Sequence, residues 1–430
     1  MAVKLEAARG DFTAVGGLGF FEQLMPMLGI KKRLRDYLPG RTPEHMKSSY
    51  QKFKALTLGF VAGAECLDDM AVYAEDPGFV AFCNNYVHAP NTYGDFLRSF
   101  EVWHPRHINE VLADVALKAR RNMFKYDDRF ILDVDSTIHE QYAKKMEGLS
   151  WAYNKVWGLS SLQAFDQYGF QYWMDVREGS AFTANGVSTV VERVFRKIPK
   201  SMTRYLRADS GMCNLDVFRA ASDNNVKFVI AMRANMFEPL VNRVKQWHNT
   251  KHTFFKDGRP AEIGSCVYHP SQFDRETLRV VFIRARKPQR ELIGEYPFTD
   301  FDYRAWVTNI GEHEMKNEAV IDFYKARGNA ENFIRELKNG FDMHHFPCKK
   351  LLANKIYGLI AAFAHNLMRI ASWNLGSKVP HFSKTLRFRM INLAGQVVKK
   401  ARYTIIRLST HHHKEVNYRI SRIQKQFSSS

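Results

Sequence analysis

Three acidic residues stand where a fold would expose them. Asp135 lies in a strand-like run from Phe130 to Thr137 and is followed by Ser136 and Thr137. Asp209 ends a second run, Tyr205 to Ala208, just before a Ser210-Gly211 turn. Open α/β sheets place their sites at such carboxyl strand ends. Glu331 sits in a helical stretch from Tyr324 to Lys338. Singly, an aspartate at a strand end is commonly a turn or cap residue. Together, with no cysteine pair or paired histidines beside them, three carboxylates make a hard-oxygen site suited to Mg²⁺ or Mn²⁺ rather than zinc. Two such ions can activate a water or a 3′-hydroxyl and stabilise the leaving oxygen of a phosphodiester. Asp133 is the alternative first carboxylate, because residues two apart on a strand share a face.

The helical stretch supplies a second requirement. At 3.6 residues per turn, Tyr324, Arg327, Glu331, Arg335 and Lys338 fall within about a quarter of the circumference, and Phe333, Ile334, Leu337 and Phe341 on another side. Alone, that stripe is a solvated face backed by a packing face. Beside Asp135 and Asp209, its cationic and phenolic groups can hold a polyanion against the carboxylates.

The totals agree with such a partner. The chain has 430 residues, with 63 Lys and Arg against 44 Asp and Glu, a formal net charge of +19. An excess of this size points to nucleic acid. Basic runs are spread along the chain, at Lys31 to Arg35, Lys118 to Arg121 and Lys399 to Arg402. That suits contact with a long polymer at many points. A hydrophobic content of 45% is that of a globular protein. The five cysteines (66, 83, 213, 266 and 348) form no C-x-x-C pair, which argues against a disulfide framework and a zinc finger. Glu6, Arg9 and Asp11 interrupt any signal-like apolar run, and the most apolar stretch, Ile356 to Met368, is too short to span a bilayer. We therefore expect a cytoplasmic protein with no membrane partner.

The elements that must position these residues divide the chain into five parts. Residues 1–125 carry helix-period patterns at Leu18 to Leu28, His45 to Glu65, Asp68 to Tyr73 and Pro105 to Phe124, with Thr42 and Pro43 as a helix start. This is the expected helical DNA-binding domain. Within it, Asn91 to Phe100 is either a short helix meeting DNA or a packing helix. Residues 126–245 read strand, strand, strand, helix, strand, helix, strand, which makes an α/β domain with a mixed sheet. Residues 246–312 contain short strand-like runs such as Leu278 to Ile283 and read as a small β insertion. Residues 313–375 hold the Glu331 helix and a long apolar helix from Leu351 to about Trp373. Residues 376–430 read as a basic helical C-terminal region, with Val397 to Arg407 as one of its helices.

Three stretches resemble the signature regions of DDE transposases from bacterial insertion sequences: Val134-Asp135-Ser136-Thr137, Ala208-Asp209-Ser210-Gly211 and Tyr324 to Lys338. The spacing Tyr324-x₂-Arg327-x₃-Glu331-x₆-Lys338 fits the Tyr-Arg-Glu-Lys signature of the branch with a β insertion before the glutamate. Val15 to Leu18, Leu56 to Asp69, Glu75 to Phe79 and Asn91 to Phe96 are similar to the insertion-sequence family numbered thirteen-eighty. The resemblance spans roughly residues 12 to 410. It implies an RNase H-like catalytic core and a transposase acting on terminal inverted repeats. Asp135, Asp209 and Glu331 would then be the catalytic, metal-binding triad, with two Mg²⁺ or Mn²⁺ ions. Tyr324, Arg327 and Lys338 would contact the backbone of the double-stranded transposon end, with Arg335 added on helical phase alone. Two ends and target DNA must be held together, so a homodimer on DNA is expected. A nuclease on the same core that cuts without joining, and an inactive DNA-binding derivative, are the competing readings. Trp306 in the insertion is either a core residue or a platform for an unpaired base.

Overall fold

In the computed structural model the described residues run from 3 to 428, apart from 5, 7, 8, 41, 153, 253–257, 288–299 and 377–379. Strands β2 (Arg129–Glu140), β3 (Trp157–Asp166) and β4 (Gln171–Glu178) run antiparallel to one another in chain order. Strands β5 (Thr203–Ala208) and β6 (Lys227–Ala231) then lie parallel to β2. Parallel neighbours need crossovers, and helices α5 (Val187–Lys197) and α6 (Leu215–Asp223) supply them. The spatial order is β4-β3-β2-β5-β6, the mixed α/β sheet that the alternation of patterns predicts.

The sheet does not stop at β6. Strands β7 (His248–Thr250), β8 (Ala261–Tyr268), β9 (Leu278–Arg286) and β10 (Phe301–Thr308) continue it, with β10 antiparallel to β6. Residues 246–312 are thus β-rich, as expected, but their strands lengthen the main sheet instead of forming one of their own.

Four N-terminal helices, α1 (Leu18–Leu28), α2 (Pro43–Ala62), α3 (Pro90–Arg98) and α4 (His104–Met123), fall close to their expected positions. The Thr42 hydroxyl caps α2 by accepting from the His45 amide, with Pro43 at the first position. Helix α3 buries Tyr93, Phe96 and Leu97 and packs on a later helix, so packing accounts for its apolar face. That later helix, α9 (Leu351–Asn374), is buried almost all round and touches α2, α3, α4 and β4. None of the described helices is long and apolar enough to cross a membrane.

Two buried asparagines explain how β4, a sheet edge, tolerates burial. Asn109 of α4 bonds both the amide and the carbonyl of Met174, at 2.8 and 2.9 Å. Asn366 of α9 does the same for Gln171, at 2.7 and 2.9 Å. The carboxamide carries a donor and an acceptor side by side, as a neighbouring strand would.

The C-terminal region departs from expectation. Val397 to Arg407 is not helical: β11 (Gly395–Lys399) and β12 (Thr404–Leu408) form a hairpin, and β11 pairs with β1 (Asp11–Thr13). Val397, Val398, Ile405 and Ile406 are β-branched and favour the strand once β1 offers an edge. A helix, α10 (Thr410–Ser428), follows. One hydrophobic core runs from Val15 to Phe427, shared by the N-terminal helices, the sheet and α10.

Candidate active site

The register between β2 and β5 sets the site. Val134 lies opposite Ala208 in their last aligned pair, and each is followed directly by an aspartate. Asp135 and Asp209 therefore emerge side by side where the two strands part. One pair earlier, Asp133 lies opposite Arg207, and the two make a buried bidentate ion pair at 2.6 and 2.7 Å. Burial pushes the Asp133 carboxyl up, and the Arg207 guanidinium pulls it back. Arg207 also donates to the Phe323 carbonyl at 2.7 Å. Asp133 is thus engaged in holding Arg207, and Arg207 holds the chain that carries Tyr324.

That chain is not one helix. Helix α7 (Asn317–Lys325) ends before α8 (Gly328–Gly340) begins, and Arg327 is the junction residue in front of Gly328. The continuous stripe expected from 3.6-residue spacing is broken there, because glycine is a weak helix former and Arg207 ties down the end of α7. The break turns Arg327 inward. Its guanidinium lies 3.6 Å from Asp135, 3.9 Å from Asp209 and 3.7 Å from Glu331. All three carboxylates predicted from sequence thus surround one buried cation.

The electrostatics follow from this geometry. Burial pushes the Asp135 carboxyl up to about 6, with Arg327 opposing and Asp209 and Glu331 adding to the rise. Burial works against the Arg327 charge, yet the carboxylates and Tyr324 hold its pKa above the ordinary value. Burial raises the Tyr324 phenol to about 12, so it stays neutral and able to donate. The Asp209 carboxylate also accepts from the Gly211 amide at 2.9 Å, which fixes its rotamer.

The remaining sequence-predicted residues are placed unequally. Arg335 is exposed on α8. Lys338 is partly buried, donates to the Ile138 carbonyl at 2.7 Å, and has its pKa lowered by burial. On the same helix Glu336 is buried and accepts from the Ser383 amide. Trp306 is 2% exposed and sits in the core beside Tyr324, out of reach of any base. His344 and His345 turn to different partners, Asn339 and Asp342. Two residues were missed. Arg233 follows the carboxyl end of β6 and donates to the Ser210 and Gly211 carbonyls, and its guanidinium lies 5.3 Å from the exposed Phe182 ring. Both line a cavity of about 500 Å³ beside Asp209. The strand-end rule that picks Asp209 also picks Arg233.

By donor type the three carboxylates suit a hard divalent cation. As arranged, however, among the described residues no three ligating side chains come close enough together to hold one; they are spaced around a guanidinium.

A sheet with paired aspartates at parting strand ends, met by a glutamate from a following helix, defines an α/β protein with a carboxylate-centred site. The chain belongs to the family Transposase DDE domain group 1, whose model matches residues 1–426. It is thus a DDE transposase by family, of a kind that acts on DNA. No curated protein matches the sequence.

Proposed function

We propose that the protein binds the terminal inverted repeats of its own insertion sequence and cleaves and joins DNA strands at the Asp135, Asp209 and Glu331 site. The observation that carries this reading is the convergence of these three carboxylates, from two strands and a helix, around Arg327. The strand order β4-β3-β2-β5-β6, three antiparallel strands then two parallel ones, supports an RNase H-like core with residues 246–312 as its β insertion. Membership of the Tyr-Arg-Glu-Lys branch rests on the spacing from Tyr324 to Lys338, and that of insertion-sequence family thirteen-eighty on Val15 to Leu18, Leu56 to Asp69, Glu75 to Phe79 and Asn91 to Phe96.

Asp135, Asp209 and Glu331 would hold Mg²⁺ or Mn²⁺, as two ions, which supply a Lewis acid for phosphodiester cleavage. Arg327, in the midst of the carboxylates, would pass from them to a backbone phosphate as DNA arrives. Tyr324 would donate to a phosphate, and Arg335 and Lys338 would extend the cationic line along α8. Paired ends call for two subunits, so the working form is a homodimer on double-stranded DNA.

The test is a plasmid carrying the element's two ends, incubated with protein and Mg²⁺. Asp209→Ala and Glu331→Ala should abolish both cleaved and joined products while end binding by mobility shift persists. Cleavage that survives either substitution would remove these residues from the site. Cleavage by the unaltered protein without joined products would make it a nuclease.

A further inference from the structure

Helix α8 walls a second cavity, separate from the carboxylates. Its volume is about 370 Å³, and its lining includes Tyr168, Phe333, Trp373 and Phe382 together with Asn332 and Arg369. Pockets of this size take small ligands. Asn332 follows Glu331 directly, so cavity and carboxylate site share one turn of helix.

Arg369 is the residue that packing does not explain. It is 6% exposed, and its Nε is buried with no hydrogen-bond partner. Its guanidinium rests 4.8 Å from the Phe333 ring centroid. Among the described residues no carboxylate pairs with it. The two acids that influence it, Glu336 and Asp166, accept from the Ser383 amide and from the Tyr168 and Phe170 amides respectively. A buried guanidinium without an anion is costly, and burial lowers its pKa to about 10. Unused buried donors in native proteins call for an explanation, and a ligand is one.

The walls are rigid and the space is kept open. The Trp373 indole donates to the Tyr168 carbonyl at 3.0 Å, and the Tyr168 ring is stacked on Phe124 with centroids 3.5 Å apart. Gly169 has φ +82°, and a Cβ there would come 2.7 Å from the Phe333 ring and 3.1 Å from Arg369 Nε. Phe382, 55% exposed, stands at the rim.

We propose that this cavity receives an unpaired nucleobase of DNA lying across α8, its face against the aromatic wall and its acceptor edge toward Arg369. The proposal rests on the DNA-cleaving reading above. Aromatic walls favour a planar ring over a hydrated phosphate, which would need more than one cation here. Stacking contributes about 1–3 kcal/mol per base, and a guanidinium can donate two hydrogen bonds to a base edge such as that of guanine.

The test uses a short single strand of mixed sequence substituted with 5-iodouracil, and its unsubstituted duplex, with unaltered protein, Arg369→Met and Phe382→Ala. Arg369→Met should weaken single-strand binding about tenfold, as the loss of one stacked, hydrogen-bonded base requires. It should leave duplex binding within about twofold and the melting temperature no lower. Phe382→Ala should lose photocrosslinks that map to Tyr168 or Trp373 in the unaltered protein. A fall in melting temperature with equal loss of both DNA forms would make Arg369 a packing residue and overturn the proposal. Displacement of the strand by inorganic phosphate at constant ionic strength, in the unaltered protein but not in Arg369→Met, would make the cavity an anion site and also overturn it. Duplex binding with crosslinks elsewhere would overturn the cavity assignment alone; no binding of either form would overturn the DNA reading itself.

Discussion

Arg327 compensates three carboxylates that would otherwise repel one another across the ends of β2 and β5. Its removal should therefore destabilise the metal-free protein. Glu331 is 65% exposed, so solvent screens its share, and the loss for Arg327→Ala should be about 2 kcal/mol. Mg²⁺ should restore more stability to this variant than it adds to the unaltered protein, because the cation competes with nothing for the carboxylates. Urea melts in EDTA and in Mg²⁺ check this; identical responses would show that the guanidinium and the ion do not share a site. Asp133 calls for a different outcome. Its bidentate pair with Arg207 is buried, so Asp133→Asn should cost about 3–5 kcal/mol, whereas Asp135→Asn removes a charge that burial disfavours and should not lower stability. Spacing could not separate the two aspartates, since both share a strand face. Only the register, which sets Asp133 against Arg207 and lets Asp135 fall just beyond, tells them apart.

At the scale of elements, patterns local to one segment were legible and pairings between distant segments were not. The helices of residues 1–125 and the strands of the sheet can be read from apolar period and turn residues. The hairpin at β11 and β12 depends on β1, almost the whole chain away, and its basic residues happen to suit a helix. The β4 edge likewise depends on side chains from two helices. Asn366→Leu would leave the amide and carbonyl of Gln171 buried without partners, at about 1–3 kcal/mol each. The expected loss of about 2–6 kcal/mol by urea denaturation separates an edge clamp from an ordinary core position, where a leucine would be tolerated. Along α8, Arg335→Ala should make the salt dependence of end binding shallower by about 0.9 in the log–log slope, with no change in melting temperature. Lys338→Ala should make the slope shallower and also lower the melting temperature, because its ammonium ties α8 to the Ile138 carbonyl. An unaltered slope in either variant would take that residue off the DNA.

Across the whole molecule, buried titratable groups pull stability in opposite directions with pH. Burial lowers His139 and His365 to about 3. His139 bonds the Ser161 hydroxyl and the Met343 carbonyl, and His365 the Gly169 carbonyl, so both stay neutral in the fold. The unfolded chain protonates them below about 6.5. Their contribution is therefore complete above that pH and is lost as pH falls toward 3. Asp166 has the opposite sign. Burial raises it to about 7 against the pull of Arg120, so its contribution is complete below about 4 and is lost as pH rises through 7. Between about pH 4 and 6.5 each of these histidines loses about 1.4 kcal/mol per pH unit on acidification, while Asp166, joined up to about pH 6 by the buried Asp135, gains as much. Asp166→Asn keeps an acceptor for the Tyr168 and Phe170 amides but removes the titration, so on acidification it should lose about 1.4 kcal/mol per pH unit more than the unaltered protein. The formal charge of +19 adds self-repulsion as other carboxylates protonate, but equally in both proteins. Urea denaturation at pH 6 and pH 5 therefore isolates Asp166 by difference. Equal slopes would mean that Asp166 is ionised in the folded protein and that Arg120, rather than burial, decides its charge.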